Sequence, residues 1–329
     1  MGPDNRRKVE FMTDATNPLV FRQLRRADLP TFSQVIHLGI GKLERSTGLD
    51  EGAEAMFQML SRWSIWFLLE FSQLIGRPFV RIWVALDGKR VVGTGTLLML
   101  SKAGYVAGMA TSPEFRGRGI ASRILGLQQA ETARRHRDWL VLDVESENDT
   151  AIRVYRRAGY REVTRFTWFT RMGVPPTLTP PSPETRAASK AELKELAPKL
   201  DASRGAGFCT ALPADPRMLS HNELLVRGTR ARHRTWVRPT SGGSPSAVRA
   251  YYTPRTQMGV YFPMTGPAEP TPEELAALFD PATEWLRPQA PTRCLAVVSE
   301  PVGAVGAALE RMGFSAVVSS TTMVRPVSP

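Results

Sequence analysis

The chain has 329 residues, with 43 Lys and Arg against 31 Asp and Glu for a net charge of +12, and it is 42% hydrophobic and 22% charged. This excludes wholesale disorder; no apolar run approaches the roughly 18 residues of a membrane span, and two cysteines, Cys209 and Cys294, cannot make a disulfide framework or a Cys-rich zinc site. The length suggests two domains, at about 150 residues each, and the charge poses a question: an anionic ligand, or solubility alone.

Residues 1–18 are polar, carry Arg6, Arg7 and Lys8, and read as a flexible leader without the apolar stretch of a secretory signal, so a cytoplasmic location is expected. A strand follows at 19–24. Asp28 can cap a helix running toward Lys42, with Pro30 in its first turn. Residues 50–75 have the apolar spacing of a long amphipathic helix, with Trp63, Phe67 and Phe71 on one side. Strands at 81–86 and 91–100 join at Asp87-Gly88, a hairpin dipeptide. Next come a strand at 104–111, a helix at 118–137, a strand at 139–145, a helix at 150–158 ended by Gly159, and a closing strand at 160–172. The order is β-α-α-β-β-β-α-β-α-β.

Five prolines among residues 173–183 make a stiff linker, assigned to 173–188. The second half, 189–329, predicts a helix at 189–200, strands at 234–238, 247–253 and 258–264, a helix at 271–286 capped by Thr271, a strand at 294–299, a helix at 302–312 and a strand at 314–324. Both halves end alike: a helix, then Ala158-Gly159-Tyr160 or Met312-Gly313-Phe314, then a strand. That pattern is a diverged internal duplication.

The segment 106–125, VAGMATSPEFRGRGIASRIL, carries the chemistry. A strand leads into Arg-Gly-Arg-Gly-Ile-Ala at the start of a helix. Glycines let backbone N–H groups converge on an anion, and the helix N-terminus adds unpaired donors and partial positive charge. The spacing is neither the dinucleotide fingerprint nor Walker A.

Here the sequence resembles the GCN5-related N-acetyltransferase (GNAT) family. The signature Q/R-x-x-G-x-G/A matches at Arg116, Gly119 and Ala121, and a downstream pattern matches at Asn148, Ala151, Tyr155, Gly159 and Tyr160. The resemblance covers about 19–172. It implies an α/β mixed-sheet fold of two tandem acyl-CoA N-acyltransferase domains: a catalytic domain at 19–172 and a degenerate one at 189–329 that lacks a phosphate loop. It implies acetyl-CoA as acyl donor and no metal. Arg116, Gly117, Arg118, Gly119, Ile120, Ala121 and Ser122 would hold the pyrophosphate. The backbone of Met109, Ala110 and Thr111 would pair with pantetheine, Asn148 would touch its arm, and Tyr155 would protonate the leaving thiolate. Arg116, Arg118 and Arg123 would face the nucleotide.

An acceptor amine must lose a proton to attack, which asks for a base. Asp143 and Glu145 share one face of their strand; Glu145, nearer its carboxyl end, is preferred, with Glu70 second. The expected function is an acetyl-CoA-dependent N-acetyltransferase acting on a small metabolite, an antibiotic or a peptide N-terminus, with no membrane partner. Two alternatives stand beside it. One is an aminoacyl-tRNA-dependent transferase, which the seven arginines and no acids of residues 224–268 would suit. The other is a non-catalytic acyl-CoA-binding or self-resistance module.

Overall fold

The computed structural model describes residues 19–38, 41–42, 80–179, 182–201, 210–212, 231–239, 245–265 and 270–327. The expected leader 1–18, the helix 50–75 with Glu70, and Cys209, Arg227 and Arg230 lie outside them.

The first half holds β1 (Val20–Gln23), α1 (Leu29–Leu38), β2 (Val80–Asp87), β3 (Arg90–Met99), β4 (Ala103–Thr111), α2 (Ile120–Arg134), β5 (Trp139–Glu145), α3 (Asp149–Arg157) and β6 (Arg161–Met172). The second holds β7 (Arg186–Ala187), α4 (Lys190–Asp201), β8 (Arg232–Arg238), β9 (Ser246–Thr253), β10 (Met258–Met264), α5 (Pro272–Leu286), β11 (Arg293–Ser299), α6 (Gly303–Arg311) and β12 (Ser315–Pro326). Local chemistry explains several boundaries. Gly88, with φ +57°, takes the first central position of the β2–β3 hairpin. Thr271 and Glu274 form a reciprocal capping box at the start of α5. Asp28 behaves otherwise than expected: its carboxylate turns back to accept both guanidinium arms of Arg22, at 2.6 and 2.7 Å, and the Arg25 amide at 2.7 Å. The bidentate ion pair with Arg22 engages both carboxylate oxygens and holds them away from the first turn of α1.

All described strands form one sheet in the order β1-β2-β3-β4-β5-β12-β6-β11-β10-β9-β8-β7, antiparallel except for β4 with β5 and β10 with β11. Helices α2 and α3 pack on one face through Ile124, Ile152 and Tyr155 against Leu97, Leu140 and Leu142. Helix α1 covers the other through Phe32, Val35 and Ile36 against Ile82, Val84 and Leu86. In the second half α5 and α6 bury Leu278, Phe279 and Leu309 over Val248, Ala250 and Ala296.

The sequence reads 160–172 as the strand that closes the first half. The structure differs. The last strand of each half pairs with the other half: β12 lies between β5 and β6, and β6 lies between β12 and β11. One register row, Glu145–Ser320–Phe166–Ser299, crosses all four strands. Both exchanged strands are twelve residues long. Each is long enough to complete a ladder on both sides, and no local pattern says which neighbour it takes.

The proline-rich connection is tied down rather than loose. The buried carboxylate of Asp280 on α5 accepts the Leu178 amide at 2.8 Å and both the amide and hydroxyl of Thr179 at 2.7 Å. Asp280→Ala leaves these donors without their acceptor. It should destabilise the chain by about 2–4 kcal/mol, seen as a lower urea midpoint with acetyl-CoA affinity unchanged.

Candidate active site

Strands β4 and β5 run parallel only from Ala103/Trp139 to Val106/Leu142; beyond that row they part. A bulge in β4, where Gly108 has φ +56° and the register with β3 shifts between Thr94 and Thr96, bends β4 away. Past the parting, Met109, Ala110 and Thr111 line a cleft of about 630 Å³. Its floor is the loop before α2 and the first turn of α2: Phe115, Arg116, Gly117, Gly119, Ile120, Ala121 and Ser122. The opposite wall is α3 with Asn148, Ala151, Val154 and Tyr155.

The start of α2 is built to leave its donors open. Gly117 and Gly119 have φ +77° and +74°, left-handed values that favour glycine, and a Cβ at either would meet nothing within 4 Å. Gly119 is the N-cap. No side chain caps it and the first turn holds no acid. The matching helix of the second half, α5, has its own Thr271–Glu274 box and acids Glu273 and Glu274 in the first turn. There the N-terminal donors and partial charge are answered from within. The residues matching Asn148 and Tyr155, counted back from the Gly159 and Gly313 turns, are Val302 and Leu309. The anion-receptive end is thus a property of the first half.

Asn148 caps α3: its side-chain oxygen accepts the Ala151 amide at 3.1 Å, which leaves the amide NH₂ for the cleft it lines. Tyr155 is buried, and desolvation pushes its phenol up to about 12. Tyr160 meets it edge-on at 5.9 Å between ring centroids. Glu145 does not line this cleft. Leu142 and Val144 share a core with Tyr155, so by alternation Asp143 and Glu145 project from the opposite face of the sheet. There Asp143 accepts hydroxyls from Tyr105 at 2.7 Å and from Thr322 of β12 at 2.6 Å. Arg118 departs from expectation too: its guanidinium lies over the Phe115 ring at 4.8 Å and is not part of the cleft lining, nor is Arg123. Sequence reading missed Leu38 at the end of α1, Gly41 beyond it, Phe115, Thr150, Val154 and Arg157. Arg157 could have been found, since 150, 154 and 157 fall on one helix face.

The arginine-rich stretch is not one exposed face among its described members. Arg249 is 1% exposed and donates to Thr235 at 2.8 Å. Arg238 pairs with Glu184 at 2.7 Å, and Arg234 lies over Trp236 at 5.7 Å.

Residues 49–160 match the model of the acetyltransferase (GNAT) family. A curated relative, N-alpha-acetyltransferase 30 of Schizosaccharomyces pombe, is 32% identical over 104 residues, covering 27% of this chain and 67% of that protein. This chain belongs to the GNAT acetyltransferase family. Whole-chain likeness shows the GNAT fold in tandem. A GCN5-related N-acetyltransferase from Sphaerobacter thermophilus superposes with a TM-score of 0.62 at 13% identity, covering 95% of this chain and 97% of that one. A tandem GNAT protein from the clavulanic acid biosynthesis pathway gives 0.56 at 13% identity, covering 94% and 99%. As a GNAT member the chain is an acyltransferase that moves an acyl group from acyl-CoA to an amine. No helix among the described residues is long and apolar enough to cross a membrane.

Proposed function

We propose that the chain is an acetyl-CoA-dependent N-acetyltransferase whose single acyl-CoA site lies in residues 19–172, with 189–329 as a supporting half. The observation that carries this is the uncapped, acid-free start of α2 opening into the β4–β5 cleft, with Tyr155 on the far wall. In this reading the amides of Gly117 to Ser122 hold the pyrophosphate, the Arg116 amide being given to the Pro113 carbonyl at 3.2 Å. The edge of β4 from Met109 to Thr111 pairs with pantetheine like an added strand, and Asn148 donates to the arm. A β4 backbone N–H holds the oxyanion of the tetrahedral intermediate.

The acyl donor enters on the α2–α3 face. The amine approaches through the parting of β4 and β5 from the face that carries Asp143 and Glu145. Glu145, nearer the carboxyl end of β5, serves as the base, directly or through water. The amine attacks the thioester carbonyl, the C–S bond breaks, and Tyr155 meets the departing sulfur. A thiol titrates near about 8.5, so a phenol near 12 surrenders its proton only uphill, by about 5 kcal/mol. Tyr155 therefore acts by donating a hydrogen bond to the developing thiolate; the thiolate is protonated in bulk solvent, which receives in exchange the proton that Glu145 takes from the amine. Its protonated state persists through neutral and mildly alkaline pH, so any alkaline fall in rate below about pH 10 belongs to another group.

The acceptor is an amine. A free peptide α-amine is the first class to test, because the curated relative is an N-alpha-acetyltransferase. Tyr155→Phe should lower kcat by about 100-fold and change the KM for acetyl-CoA by less than about twofold. Thiol release with a panel of free-α-amine peptides measures both. Equal losses in kcat and acetyl-CoA affinity would make Tyr155 a packing residue.

A further inference from the structure

The two exchanged strands carry arginines in matching places. Arg171 is the penultimate residue of β6 and Arg325 the penultimate residue of β12. Each reaches the end of the last helix of the opposite half. Arg171 Nη1 donates to the Met312 carbonyl at the C-terminus of α6, at 2.7 Å, and covers Gly313, where a Cβ would collide with the guanidinium. Arg325 covers Gly159 at the end of α3: a Cβ there would sit 3.4 Å from its Nε and 3.7 Å from its Cζ. Both glycines are left-handed, with φ +85° at 159 and +80° at 313. The turns they close are the same: the Tyr160 amide donates to the Tyr155 carbonyl at 3.0 Å, and the Phe314 amide donates to the Leu309 carbonyl at 3.0 Å. A cation at a helix C-terminus is favourable to both the dipole and the last carbonyls.

The placement is shared, with Arg171 hydrogen-bonded to its helix end and Arg325 packed over its own, but the cargo differs. Helix α6 carries Leu309, whereas α3 carries Tyr155 at the cleft. Tyr160, edge-on to Tyr155, has a buried hydroxyl without a hydrogen-bond partner among the described residues. Burial pushes the Tyr160 phenol up, and Arg325 works against that shift. A guanidinium from the second half thus stands beside the aromatic pair of the first.

We infer that Arg325 is a positioning residue for acyl transfer: it clamps the terminal turn of α3 so that the Tyr155 hydroxyl stays at the cleft. The second half thereby enters the chemistry of the first through one side chain. This rests on the reading of Tyr155 as the hydrogen-bond donor to the leaving sulfur.

Arg171 supplies the control, standing at the matching strand position over a helix without the phenol. In the full chain, well below each melting temperature, thiol release from acetyl-CoA is followed with a free-α-amine tripeptide as acceptor, and with water if the peptide is not taken. Arg325→Met should lower kcat about 10-fold with KM for acetyl-CoA within about twofold, and Arg325→Lys should recover kcat to within about threefold. Arg171→Met should lower Tm about as much and leave kcat unchanged. If Arg325→Met does not fold, Arg325→Gln takes its place. Unchanged kcat on losing Arg325, or an equal kcat loss on losing Arg171, would overturn the inference. Tyr155→Phe separates the two readings. If it retains full kcat, the Tyr155 reading itself falls. If it loses kcat while Arg325→Met does not, only the role of Arg325 falls.

Discussion

Gly119→Val should abolish measurable acetyl-CoA binding, a loss of about 1,000-fold or more, while the chain still unfolds cooperatively. Two effects separate cleanly here. The first is conformational: φ at 119 is +74°, where a residue with a Cβ is disfavoured by about 1–2 kcal/mol, and more when β-branched. That cost is modest against a typical stability of about 5–15 kcal/mol, and α2 remains anchored by Ile120 and Ile124, both 2% exposed or less. The second is steric and falls on the ligand. No protein atom lies within 4 Å of the added Cβ, so the isopropyl group projects into the space where the phosphates would meet the helix start. Losing two or three hydrogen bonds to a charged group, at about 1.5–3 kcal/mol each, gives the expected loss. Calorimetric titration with acetyl-CoA measures it, and Gly119→Ala should fall between. Native affinity in Gly119→Val would remove the phosphate cradle from this loop.

A chain ending at Phe314 should lose cooperative unfolding in both halves and bind no acetyl-CoA, although every residue of the cleft is retained. Removing β12 strips the ladder partners of β5 and of β6 at once. It also removes Val318, Met323 and Val324, all buried. At about 1.5–3 kcal/mol for each buried apolar side chain, these three alone approach the whole stability of an ordinary chain. Asp143 loses its Thr322 donor, and Ser146 loses both the Ser319 carbonyl at 2.8 Å and the Thr321 hydroxyl at 2.9 Å. Thermal unfolding followed by circular dichroism, with acetyl-CoA calorimetry, decides it. A truncated chain that melts cooperatively and binds normally would show the first half to be self-sufficient.

What could be read before any coordinates was local. Periodicity and turn residues placed the described strands and helices to within a few residues, except the short β7 at Arg186–Ala187, which falls inside the stretch read as linker; the strand 139–145 and the Thr271 cap coincide with the structure. The glycine loop was legible because its chemistry is packed into consecutive residues that a cleft floor must contain together. The alternation of β5 likewise put Asp143 and Glu145 on one face. Features set by distant partners were not legible. The pairing of Glu145 with Ser320 joins residues 175 apart, and Leu38 and Gly41 reach the cleft from elsewhere in the chain. The seat of the Arg118 guanidinium over the Phe115 ring was likewise not legible, since it depends on how the loop before α2 folds back. A run of arginines in sequence also says nothing of burial, which takes Arg249 out of the solvent.

The exchange of last strands also orders events in time. The cleft residues are all synthesised by Arg157, yet the strand that closes the sheet beside β5 begins at Ser315. Contacts of such long sequence separation form late and slowly, since a large loop must close before they are rewarded. A nascent chain therefore carries an unpaired β5 edge from Glu145 until Ser315 has been added. The half that holds the cleft, though earlier in the chain, is the one that must wait, and its maturation is set by the arrival of β12.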